Sequence, residues 1–163
     1  MNIYKNNNEY KSIVAYIMNN EEFLKIESSN HHGTSRLEHS VKVSYYSYLI
    51  AKKLNFDYEK TATAGLLHDY FITDNDKTII DSIKMLFKHS KIASDNAVNQ
   101  FNVSEKEKNI IETHMFPINI KPPRFKEGWL VSIVDKVVGS IEFGSKLKYN
   151  AYLWVLFLSN FTK

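Results

Sequence analysis

Apolar residues recur along the chain at intervals of three and four rather than two, and glycine and proline number only 5 and 3. That rhythm predicts helices and no convincing sheet. The stretch "YKSIVAYIMNNEEFLKI" gives one or two short helices ahead of a polar break at "ESSNHHGTS". A longer helix begins after Ser35, with Leu37, Ser40, Val43, Ser47, Ile50, Ala51 and Leu54 as its core-facing stripe. In "DYEKTATAGLLHDYF", Asp57 can cap a further helix that carries His68 and Asp69 in its last turn or just beyond. After the polar "TDNDK", the segment "IIDSIKMLF" is short and apolar-periodic, and His89 falls at a break before "SKIASDNAVNQF".

The sharpest local signal is "VSEKEKNIIETHMFP". Ser104 and Glu107 form a capping box, Ile110, Ile111 and His114 share a face, and Pro117 stops the helix. The loop "PINIKPPRFKEG" leads into "WLVSIVDKVVGSIEF", where Leu130, Ile133, Val134 and Val137 make a core face interrupted by Asp135. A separate apolar helix at "NAYLWVLFLSNF" would complete an all-α protein of six to eight helices. With no internal repeat and no interdomain linker, 163 residues suit one domain.

Composition narrows the chemistry. Hydrophobic residues at 44% and charged residues at 24% fit a folded chain rather than a disordered one. The formal charge of +3 is spread along the chain without a basic-aromatic track, so a nucleic-acid polymer is not an expected partner. No cysteine is present, which leaves nitrogen and oxygen as the ligands for any metal. The polar start "MNIYKNNNEYK" lacks a secretory pattern, and "AYLWVLFLSNF" has about half the length of a spanning helix, so a cytoplasmic protein without membrane contact is expected.

Two expensive polar groups close the apolar run "AGLLHDYF", and each left unsatisfied in a core would cost about 1–3 kcal/mol. His39, His68, His89 and His114 all lie beside apolar faces, and Asp135 sits inside "VSIVDKVV", where an ionised carboxylate faces a large desolvation penalty. A plainer account stays open: a hydrogen bond can satisfy each imidazole, and Asp69 can cap the turn that follows it. A cation relieves Asp69 and Asp135 together, and imidazoles and carboxylates from several helices are the supply from which bundle metal sites are built. Such ligands favour Mn, Fe, Co, Ni or Zn over calcium. Arg36, one turn before His39, and Arg124, in the loop toward Asp135, are candidates for a bidentate grip on a phosphate or are plain solvated charge. Lys136 is a third candidate cation beside Asp135, although helix neighbours point apart. His31 and His32, before Gly33, can line a pocket or belong to a polar loop.

The ordered set His39, His68-Asp69, His89, His114, Asp135 resembles the HD-domain metal-dependent phosphohydrolase superfamily. "HGTSRLEHS", "AGLLHDYF" and "HMFPINIKPPRFKEGWLVSIVDKVV" are similar to small stand-alone bacterial HD proteins, over residues 34–142. The resemblance implies a helical bundle in which His39, His68, Asp69 and Asp135 hold one divalent ion, while Asp69 bridges to a second held by His89 and His114. It also implies that a metal-activated water hydrolyses a small phosphorylated metabolite or nucleotide. The Gly-Tyr-Pro motif of the cyclic-dinucleotide branch is missing from the sequence. A metal-binding regulatory or ligand-binding module with little turnover is the alternative.

Overall fold

Side-chain caps open five of the helices. Asn7 Oδ1 accepts Tyr10 N at 3.0 Å to open α1 (Asn8–Met18), and Asn20 Oδ1 accepts Phe23 N at 3.0 Å to open α2 (Glu21–Leu24). A 3₁₀ turn, Lys25–Ser28, leads to two antiparallel dipeptide strands, β1 (Asn30–His31) and β2 (Thr34–Ser35). Ser35 then caps α3 (Arg36–Lys53), Asp57 caps α4 (Tyr58–Leu67), and α5 (Ile79–Phe101) follows. Ser104 and Glu107 make a full capping box at α6 (Glu105–Thr113), and α7 (Lys126–Asn160) ends the series. The computed structural model describes residues 3–28, 30–31, 34–72 and 79–160, so "TDNDK", His32 and Gly33 lie outside the described residues, as does the side chain of His31.

The protein is all-α, with seven α-helices among the described residues. The small-residue helix α4 is its centre. Thr61 to Leu67 are all buried, and "TATAG" is slim enough to accept neighbours on several sides. A Cβ on Gly65 would stand 3.0 Å from Ser44 Cα, so α3 and α4 meet backbone to backbone. Ser44 secures that contact by donating to Ala62 O at 2.6 Å while accepting from the Tyr10 hydroxyl at 2.8 Å. At the opposite end, Glu127 Oε1 accepts Asp57 N at 3.1 Å and Lys106 reaches Asp57 at 3.0 Å, tying α4 to α6 and α7. Tyr10, Phe23, Tyr48, Leu66, Leu67, Ile110 and Ile111 are fully enclosed around α4. No helix among the described residues is long and apolar enough to cross a membrane.

Four sequence expectations are corrected. His89 lies within the 23-residue α5 rather than at a break, because the polar run around it contains no glycine or proline to stop the helix: Lys88 and Lys91 are exposed, while the small Ser90 and Ser94 are buried beside His89. The apolar stretch, described as far as Asn160, is no separate helix: α7 runs unbroken for 35 residues through Gly144, whose weak helix propensity, a cost of about 1 kcal/mol, does not stop it. On α3, Ile50 and Leu54 are exposed, and the inward face is completed by Val41, Ser44 and Tyr48. On α7, Ile133 and Val137 face outward while Val131, Val134 and Val138 carry the core contact, a rotation that turns Asp135 toward α3 and α4.

Candidate metal centre

Five elements deliver the titratable groups. His39 comes from the second turn of α3, His68 and Asp69 follow the end of α4, His89 comes from mid-α5, His114 follows α6, and Asp135 lies on α7. His39 and His68 are fully buried, His114, Asp69 and His89 nearly so, and Asp135 is partly exposed. The backbone contact at Gly65 brings the His39 and His68 rings to 5.4 Å between centroids.

The imidazoles share an orientation. His68 Nδ1 donates to Gly65 O at 2.8 Å, His89 Nδ1 to Met85 O at 3.1 Å, and His114 Nδ1 to Ile111 O at 2.8 Å. His39 Nδ1 donates to Glu142 Oε2 at 2.8 Å. Carbonyls and carboxylates only accept, so each Nδ1 carries a proton and each Nε2 points inward. His39 Nε2 lies 3.1 Å from Asp135 Oδ1, and His68 Nε2 lies 3.6 Å from the same oxygen and 3.8 Å from Asp69 Oδ2. On the other side, Asp69 Oδ1 stands 3.5 Å from His89 Nε2 and 3.7 Å from His114 Nε2. The two oxygens of Asp69 thus face two different sets of imidazoles.

This arrangement fits a cation. His68 Nε2 is buried and has no hydrogen-bond partner, an expensive state for a polar atom that a ligated ion would end. His89 Nε2 and His114 Nε2 are 3.2 Å apart; with both Nδ1 atoms protonated, neutral rings would oppose two lone pairs. Among the described residues, two groups have ligand atoms mutually within 4.8 Å: His39, His68 and Asp135, and His68, Asp69 and His114. Both could hold a metal ion.

The electrostatics express the same demand. Burial opposes a charge on His39, but hydrogen bonds to the Asp135 and Glu142 carboxylates outweigh it and lift the imidazole to about 9. His68 is also raised: burial works against it, and the Asp69 charge and Asp135 overcome that. Burial would push Asp135 upward, yet His39 and His68 hold it well below the ordinary carboxylate range. His114 moves the other way, down to about 3, mainly through burial and then through the charge on His68. The carboxylates of Asp69 and Asp135 favour positive charge on the imidazoles that face them, the same demand that a bound cation would meet.

The site forms the floor of a cavity of about 380 Å³, walled by Met115, Ile118 and Phe143 with Lys136, Gly139 and Ser140. Lys136 Nζ donates to His114 O at 3.0 Å, Ser132 O at 3.1 Å and Ser132 Oγ at 2.8 Å, so it fastens the end of α6 to α7 beside the cavity. Arg36 does not line it. Its guanidinium is buried 3.8 Å over the Phe71 ring and donates to Phe71 O, which fixes the chain immediately after Asp69. Arg124 is exposed at a different depression, where Lys91, Lys108 and Lys121 are mixed with Glu105 and Glu112. Sequence reading missed Glu142, which is buried between His39 Nδ1 and Lys42 Nζ, the latter at 3.0 Å. Its signal is the seven-residue interval from Asp135, two turns along one helix face.

A family model for the HD domain matches residues 36–139, from the start of α3 past Asp135 and short of Glu142. The chain belongs to the HD-domain family. Neither the curated proteins nor the solved structures give a match.

Proposed function

We propose that this chain is a metal-dependent phosphohydrolase acting on a small phosphorylated metabolite or nucleotide. The observation that carries the reading is the convergence of four Nε2 atoms, each with its ring's other nitrogen already bonded, on the carboxylates of Asp69 and Asp135 at the base of a cavity. His39, His68, Asp69 and Asp135 would hold one divalent ion, and Asp69, His89 and His114 a second, with Mn, Fe, Co, Ni and Zn all compatible with these donors. Such ions acidify water and offset charge on phosphoryl oxygens.

The chain's own groups do the rest. Asp69, facing imidazoles with each oxygen, orients both halves of the centre. Lys136 adds positive charge to the wall an anionic substrate would pass, and Met115, Ile118 and Phe143 give that wall an apolar part that would receive the uncharged portion of the substrate. HD-family membership and the fit of the donors to a cation support this reading over a purely structural bundle.

The test is reconstitution with each of the five ions, followed by a screen of phosphate monoesters, diesters and nucleotides. Phosphate release that needs the ion and stops with a chelator is the expected result. Binding without turnover across the correctly loaded screen would overturn it in favour of a ligand-binding module.

A further inference from the structure

We propose that Glu142 is a positioning residue for the metal centre: its carboxylate, anchored by Lys42, keeps the His39 proton on Nδ1 and so leaves Nε2 to bind an ion beside Asp135. The inference rests on the reading of His39 as a ligand and assigns a role outside the segment that matches the family, which ends at residue 139.

The geometry is a contest between two carboxylates for one ring. His39 Nδ1 meets Glu142 Oε2 at 2.8 Å, and His39 Nε2 meets Asp135 Oδ1 at 3.1 Å, both carboxylates coming from the same face of α7. If Asp135 were the only acceptor, a neutral His39 would place its single proton on Nε2 and donate it to Asp135. That tautomer offers an ion no lone pair. Glu142 gives the proton a shorter hydrogen bond on the far side of the ring, the role that carboxylates commonly play behind ligating imidazoles.

Glu142 is built to stay there. Its side chain is 5% exposed, and Lys42, which binds Oε1 at 3.0 Å, is itself held by Glu38 at 2.8 Å. A carboxylate buried this deeply needs such partners to remain ionised. Lys42 lies one turn after His39 on α3, so the helix that presents the ligand also presents the cation that fixes its brace.

The experiment measures Zn²⁺ affinity by competition with a chromophoric chelator for the wild type, Glu142→Ala and Glu142→Gln. Far-UV circular dichroism verifies the fold, and long-range ¹H–¹⁵N NMR of the zinc-loaded wild type reads the His39 tautomer. Glu142→Ala should bind zinc about 10–100-fold more weakly. Glu142→Gln, whose amide oxygen still accepts from Nδ1, should recover most of that loss, and wild-type His39 should carry its proton on Nδ1. A folded Glu142→Ala protein with wild-type affinity, a Gln variant as weak as Ala, or an Nε2 proton in the zinc-loaded wild type would each overturn the proposal. The NMR measurement decides the matter even if the Ala variant does not fold. Wild-type protein that takes up no zinc or other candidate ion would instead overturn the functional reading beneath it.

Discussion

His89 and His114, from helices joined by a short connection, point their Nε2 atoms at each other across 3.2 Å while both Nδ1 atoms are bonded to backbone carbonyls. Neutral rings gain nothing from that approach, so an ion between them has a distinct dependence on this pair. Alanine at either position should remove about one equivalent of metal and leave the ion at His39, His68 and Asp135. Alanine at His39 or Asp135 should do the reverse. Elemental analysis after identical reconstitution checks this, and equal retention of two ions in all four folded variants would contradict it.

Asp69 turns one oxygen toward His68 and the other toward His89 and His114. Asp69→Ala should therefore lower occupancy on both sides and reduce phosphohydrolase turnover by more than about 100-fold, beyond what loss of an outer partner causes. Lys136→Met removes three hydrogen bonds beside the cavity but no ligand, and its effect on turnover should be much smaller. Steady-state kinetics on one substrate found in the screen compares them; a larger defect in Lys136→Met would reverse the assignment of roles.

Metal should also be a structural tie. Ligands from α3, α5 and α7 and from the chain just past α4 and α6 are brought together only in the folded state, so an ion at 100 times its dissociation constant stabilises that state by about 2.7 kcal/mol. Differential scanning calorimetry should show a higher Tm with added Zn²⁺ and a lower one after chelation. Identical melting with and without metal would mean that the folded chain holds no ion.

Two glycines in helices should respond oppositely to alanine. At Gly65 a Cβ would press on the Ser44 backbone at 3.0 Å and separate α3 from α4, costing about 1–3 kcal/mol. At Gly144 a Cβ meets nothing within 4 Å, so the better helix former should add about 0.5–1 kcal/mol. Urea unfolding of the two variants gives the comparison, and the Gly65 variant should also weaken metal binding because His39 and His68 move apart.

Local chemistry was the legible part. Asp57 and Ser104 each announce a helix start by a side chain whose partner is three residues away, and both cap as expected; the helix expected to begin after Ser35 does so, with Ser35 as its cap. His39, His68, Asp69, His89, His114 and Asp135 stand out because polar groups beside apolar faces demand an explanation, and the fold gathers all six. What sequence reading misplaced depends on which neighbour a helix meets. The stripes of α3 and α7 were each assigned a little off, so Ile50, Leu54, Ile133 and Val137 face outward. Arg36 has the right spacing from His39 to approach the site, yet Phe71 takes its guanidinium. Glu142 has one local mark, its seven-residue interval from Asp135, and that mark acquires meaning only through Lys42 and His39, about a hundred residues earlier in the chain.

Three of the four inward-facing imidazoles owe their orientation to a carbonyl in their own or the adjoining turn: Gly65 for His68, Met85 for His89 and Ile111 for His114. Every residue type has a carbonyl, so no point mutation elsewhere can delete those braces while the helix stands. His39 is the exception, since its brace is a side chain on another helix. Mutational drift can therefore retune this centre at one edge while the other three rings keep their aim, and variation in metal preference among related chains should concentrate at the positions equivalent to Lys42 and Glu142.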